Sequence, residues 1–224
     1  MLNQSLSIDD LLKNIRSKTR DRTHLIPQRN RAALLVIDMQ KFFCDEQGRA
    51  YFPSSRLALD HILRLLSFWR EGGSVYFTQH SHQGPAELGP SDLGPSDLGM
   101  IGKFYRDYIH TGERDADLLP ELCLSKQESH ESVIRKFTYD AFYKTDLESR
   151  LKSKHIDQVI ICGVLTHLCC DTTARSAFVR GFEVYIAADA VASDSDEFHI
   201  NSLINLADGV ARILSTQEIL TLCR

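Results

Sequence analysis

Short apolar runs, each followed by a stretch of helical periodicity, repeat along this chain. AALLVID (32–38) is nearly continuous in apolar residues, the pattern of a strand covered on both faces. SSRLALDHILRLLSFWREGG follows from Ser54. Its Leu57, Ile62, Leu65, Leu66 and Trp69 recur at helical spacing, its serines suit an N-cap, and Gly72-Gly73 end it. SVYFTQH (74–80), ESVIRKF (131–137), QVIICGV (158–164) and EVYIAADA (183–190) predict four further strands. Helices are predicted over AFYKTDLESRLKSK (141–154), over LCCDTTARSAFVRGF (168–182) as far as Gly181, and over HINSLINLADGVARIL (199–214). Strands alternating with helices imply a three-layer α/β/α, Rossmann-like fold around a mostly parallel sheet of five to six strands. Ligands of such folds bind beyond the carboxyl ends of the strands.

Two segments fall outside this rhythm. SIDDLLKNIRSKTR (7–20) reads as a short capped helix within an N-terminal extension, residues 1–30. Residues 81–115 form a Gly/Pro-rich connection containing the tandem GPSDLGPSDL (89–98). Two copies make no solenoid, so this is read as a surface loop, with a lid over the site as its functional alternative. No linker divides the chain, and residues 1–224 are expected to form one domain.

Composition narrows the function. With 26 Lys and Arg against 30 Asp and Glu, the net charge of −4 offers no basic excess for nucleic acid or an anionic membrane. The N-terminus lacks the long apolar core of a signal peptide or membrane span, which predicts a cytoplasmic protein. Six cysteines without a CxxC or zinc-type spacing are then expected to be mostly free thiols.

Polar groups stand at three predicted strand ends. Asp38 closes the first strand within IDMQ. Lys136 ends the third, on the same strand face as Ile134. The fourth runs into Cys169-Cys170. Taken singly, Asp38 reads as a turn cap, Lys136 as a lysine snorkelling at the sheet rim, and either cysteine as a core thiol. Helical spacing separates the cysteines. Cys170, Ala174, Ala177 and Phe178 share one apolar face, whereas Cys169 lies in a polar row with Thr173, Ser176 and Arg180. Cys170 is therefore assigned to packing. Cys169 is left at a helix N-terminus, where roughly half a positive charge lowers a thiol pKa from its usual value of about 8.5.

DMQKFF, RKFTYDAFYKTDLE and GVLTHLCCDTTARSAF occur in that order. Together they resemble the isochorismatase-like cysteine hydrolase superfamily, which includes nicotinamidases, N-carbamoylsarcosine and ureidoacrylate amidohydrolases and isochorismatases. The resemblance covers roughly residues 30 to 195. It implies an Asp-Lys-Cys triad of Asp38, Lys136 and Cys169, the nucleophile falling six residues after Gly163. It also implies a cis peptide between Val164 and Leu165, and an oxyanion hole from the backbone N–H groups of Leu165 and Cys169. The activity implied is C–N bond hydrolysis of a small molecule through a thioester, without a cofactor. A homodimer or homotetramer is expected, with 7–20 and the final STQEILTLC as candidate interface segments.

Other residues are placed near the pocket by sequence proximity: Phe42 and Phe43 after Asp38, and Tyr139 and Phe142 after Lys136. Each could equally be core. Gln40 is expected to orient Asp38 or Lys136 and Thr166 to cap the catalytic helix. Nicotinamidases hold a metal through Asp-x-His and a later His. TQHSHQG offers His80 and His82 with no adjacent carboxylate, so no metal is expected. His167 matches the GVxxH start of isochorismatases, which keeps open a vinyl ether hydrolase using Asp38 as acid. Those enzymes typically carry glycine where Cys169 stands. A non-catalytic scaffold of the same fold is the third reading, weakened by the complete triad.

Overall fold

In the computed structural model of the protein, residues 7–82, 101, 109–122 and 131–223 are described. The GPSDLGPSDL repeat and most of the 81–115 connection, the expected surface loop or lid, lie outside them.

Six parallel strands form one sheet in the order β3-β2-β1-β4-β5-β6. They are β1 (Ala32–Ile37), β2 (Ser74–His80), β3 (Glu131–Lys136), β4 (Gln158–Val164), β5 (Glu183–Ala192) and β6 (Ala211–Leu214). The central β1 is buried at every residue. Its side chains alternate between two cores: Ala33, Leu35 and Ile37 enter one, Ala32, Leu34 and Val36 the other. This explains a continuous apolar run where a half-exposed strand would alternate.

Helices cover both faces. On one lie α1 (Ile8–Lys18), α4 (Leu147–Ser153), α5 (Asp171–Val179) and α6 (Asp196–Gly209); on the other lie α3 (Ser54–Arg70) and α7 (Thr216–Leu222). The four-residue α2 (Lys41–Cys44) follows β1. The side chains of Ser7 and Ser195 accept N–H bonds that start α1 and α6, and Ser215 with Glu218 forms a capping box on α7. The apolar face of α1, Leu11, Leu12 and Ile15, is buried within this chain's own core. None of the described helices is long and apolar enough to cross a membrane.

Several sequence expectations need correction. Leu57 is 73% exposed; Ala58 and Leu59 take the buried positions beside it. Phe178, expected in the core with Cys170, is 49% exposed. The helix expected from Ala141 begins only at Leu147, because turns bonded through Asp140 and Thr145 precede it. The last predicted helix ends at Gly209, and ARIL becomes the edge strand β6. A four-residue apolar run can serve either element, and here pairing with β5 decides.

Candidate active site

Parallel register gathers the polar residues at one edge. Ile37 pairs with Gly163, and His80 with Lys136, so β1, β2, β3 and β4 end close together. Gly163 has φ 111°, and a Cβ there would stand 2.1 Å from the Ile37 carbonyl oxygen. Only glycine lets β4 pass the end of β1 this closely. Asp38 itself turns the chain with φ 47°, a conformation aspartate tolerates better than most residues. Beyond Gly163, the Val164–Leu165 peptide is cis. Thr166–Cys170 then forms a π turn, closed by the Cys170 N–H donating to the Leu165 carbonyl at 3.2 Å. Wide turns of this kind recur at functional sites.

The structure brings Asp38, Lys136 and Cys169 together. Lys136 Nζ lies 2.6 Å from Asp38 Oδ2, both side chains fully buried, and 3.4 Å from Cys169 Sγ. It also donates to the Thr138 carbonyl at 2.9 Å and stands 3.3 Å from His80 Nδ1. Thr78 bonds Asp38 twice: its Oγ1 donates to Oδ1 at 2.5 Å and accepts from the Asp38 N–H at 3.0 Å.

Burial works against the Lys136 charge, but Asp38 and then Cys169 hold its pKa above the ordinary lysine value. Burial pushes the Cys169 thiol up; Lys136 opposes this and Asp38 adds to it. Burial thus works against the lowered thiol pKa expected from the helix N-terminus. Lys136 is favoured as an ammonium, and burial favours the neutral Cys169 thiol. Cys170 is also fully buried and pushed up by burial, with Ala174 and Ala177 beside it in the core.

The remaining expected residues divide. His80 meets Lys136, its Nδ1 3.3 Å from the ammonium. Gln40 orients neither Asp38 nor Lys136: its amide donates to the carbonyls of His80 and Ala116 and accepts from the His80 N–H, clamping β2 to residue 116. Phe42 packs edge-to-face on Phe43 at 4.8 Å, with Ile109 and Ala116 around them. Tyr139 lies against the core, its carbonyl accepting from Thr173. Phe142 stacks near Phe182, which precedes β5 at the opposite edge of the sheet, so the structure does not bring it to the triad. Thr166 does not cap a helix; its Oγ1 meets His199 Nδ1 at 2.9 Å inside the turn. His167 Nδ1 meets Ser193 Oγ at 2.8 Å and its ring lies against Phe198. Sequence reading missed Thr78, Ser193 and His199. Thr78, two residues before His80 on the same strand face, carried a period-2 signal; the other two carried none.

The Isochorismatase domain family matches residues 32–218. The chain belongs to the isochorismatase family. It is 34% identical to Nicotinamidase 3 of Arabidopsis thaliana over 86% of this chain and 89% of that protein. It is 28% identical to Isochorismatase of Bacillus subtilis, over 87% of this chain and 59% of the relative. A cysteine hydrolase from Pseudomonas syringae, 25% identical, superposes with a TM-score of 0.76 over 90% of this chain and 98% of its own.

Within this isochorismatase-family site, a metal can be tested against the donor set. Asp38, His80 and Cys169 each place one ligand atom within 4.8 Å of the others. The Lys136 ammonium already contacts all three, so that set is occupied by the chain's own cation. His80 and His82 face each other through Nε2 at 3.0 Å, but His80 stands where an Asp-x-His pair would need its carboxylate, and its Nδ1 is turned to Lys136. The set does not fit the Asp-x-His pattern.

Proposed function

We propose that this protein is a cysteine hydrolase that cleaves a C–N bond of a small amide, ureide or lactam, with Asp38, Lys136 and Cys169 as its triad. The observation carrying this reading is the fully buried Lys136 ammonium, 2.6 Å from a carboxylate and 3.4 Å from a thiol. A buried charge survives only with such partners, and a packing role would not require this set.

The neutral thiol fits a concerted first step. As Cys169 Sγ bonds to the carbonyl carbon, its proton passes to Asp38, and Lys136 offsets the charge on the carboxylate and sulfur. The carbonyl oxygen becomes an oxyanion facing the N–H groups of Leu165 and Cys169. Collapse breaks the C–N bond, Asp38 returns the proton to the departing nitrogen, and a thioester remains. Asp38 then takes a proton from water as the water oxygen bonds to the thioester carbon, the C–S bond breaks to release the acid, and Asp38 returns that proton to the Cys169 sulfur. Lys136 stays charged throughout.

A panel of small amides, ureides and lactams, assayed for ammonia or amine release with Cys169→Ala as control, tests this reading. Release abolished in the variant supports it; full turnover by Cys169→Ala overturns it. Pyruvate release from isochorismate that survives Cys169→Ala would instead identify the vinyl ether reaction with Asp38 as acid, the reading favoured by the 28% identical isochorismatase.

A further inference from the structure

His80 and His82, beyond the triad, are buried, and their contacts fix where their protons lie. Lys136 Nζ has three N–H bonds and no lone pair. Two point at Asp38 Oδ2 and the Thr138 carbonyl. The third is shared between Cys169 Sγ at 3.4 Å and His80 Nδ1 at 3.3 Å. A proton on Nδ1 would set donor against donor beside a full positive charge, so Nδ1 carries the lone pair.

Burial, then Lys136 and His82, hold His80 far below the ordinary histidine value, and burial, then His110 and Lys136, hold His82 down to about 4. Both rings are therefore neutral near pH 7. His80 must carry its single proton on Nε2, which then donates across 3.0 Å to His82 Nε2. His82 in turn carries its proton on Nδ1. One direction of hydrogen bonding runs from Lys136 through His80 to His82.

We propose that His80, with its tautomer fixed by His82, is a positioning residue that holds the third N–H of Lys136 in competition with Cys169. This rests on the role assigned to Lys136 in the proposed function, but its geometry needs no substrate. Gln40 supports it by fixing the His80 backbone from both sides. While the sulfur is a neutral thiol, His80 is the better acceptor. When the sulfur becomes anionic, that N–H turns to it, so His80 sets how readily Lys136 responds.

One-bond 15N–1H correlations on wild-type protein at pH 7 read the tautomers directly. A protonated Nε2 on His80 and a protonated Nδ1 on His82 are expected. The opposite tautomer or an imidazolium on either ring overturns the proposal. The pH profile of Cys169 alkylation supplies a second readout, followed by mass of the labelled peptide. His80→Asn keeps an acceptor oxygen near the Nδ1 position and is expected to leave the midpoint unchanged. His80→Gln removes it and is expected to lower the midpoint by about one unit, a tenfold change in thiol ionisation. Equal behaviour of the two variants overturns the positioning role. Neither measurement uses turnover, so a failed amide screen leaves this result standing, and the reverse also holds.

Discussion

The two edges of the sheet carry ion pairs of the same length in opposite settings. At the carboxyl edge, Lys136 and Asp38 meet at 2.6 Å with both side chains fully buried. At the amino edge, Arg31 and Asp157 also meet at 2.6 Å, with side chains 37% and 53% exposed. Distance alone would rank them equal. Desolvation does not: taking either triad partner from water costs several kcal/mol that only the other can offset, whereas water already serves the exposed pair. The carboxyl edge thus holds charge at a cost to stability, and the amino edge holds charge of little consequence. The proposed chemistry accounts for the first arrangement, while the second requires none.

Breaking the carboxyl edge at Cys169, the proposed nucleophile, is expected to give the largest effect. Cys169→Ala is expected to lower kcat on whichever C–N substrate is found by about 10³-fold or more, the scale of losing a nucleophile. Cys170→Ala, one residue away in the core, should leave kcat within a few-fold and instead lower the unfolding free energy. Steady-state kinetics on both variants checks the pair. Reversed outcomes would sink the assignment of Cys169.

Removing half of the buried pair comes next. Lys136→Met leaves the Asp38 carboxylate uncompensated and is expected to destabilise by about 3–5 kcal/mol in urea unfolding. Adding Asp38→Asn, which tolerates the positive φ and keeps an acceptor for Thr78, to Lys136→Met should recover most of that stability while activity stays lost. A double variant no more stable than Lys136→Met would show that the pair stabilises the fold after all. Thr78→Val, which strips two hydrogen bonds from Asp38, is expected to cost about 1–3 kcal/mol, with Thr78→Ser restoring most of it.

How much of this contrast was legible in the sequence follows from the same physics. Burial on both faces writes itself into a strand as a continuous apolar run, so AALLVI and QVIICGV declared the central strands and placed Asp38 and the Gly163 turn at their ends. The edge strand ARIL gave no such signal, since four residues fit a helix equally well. Cys169 and Cys170 were told apart by spacing, although Thr173, in the expected polar row, is fully buried. Sequence shows a helix terminus at Cys169 but not the depth of burial that pushes its thiol up. Period 2 along β2 and just beyond its end puts Thr78, His80 and His82 in line, but their contacts with Asp38 and Lys136 depend on register between β1, β2 and β3, which no single strand carries. Phe142 was drawn toward the site by nearness in sequence, while the turn after β3 returns it to the far edge.

Acid sharpens the comparison further. Burial holds His82 and His199 down to about 4, against about 6.5 in an unfolded chain. Between these values the unfolded state binds more protons than the folded one, so stability falls as pH drops from about 6.5 towards 4 and is level just above that window. Melting temperatures measured across that range should decline, and less steeply in His199→Gln. A flat profile would contradict the burial of both rings.

The smallest effect is expected at the amino edge. Arg31→Ala removes contacts to Asp157 and Glu183, yet should change stability by only about 0–1 kcal/mol, and less at high salt. Urea unfolding at two ionic strengths checks it. Arg31 also closes that edge through its carbonyl, which accepts from the Asp157 and Gln158 N–H groups, and alanine retains this carbonyl. A loss approaching that of Lys136→Met would mean that geometry, and not desolvation, ranks these pairs, and the contrast between the edges would fail.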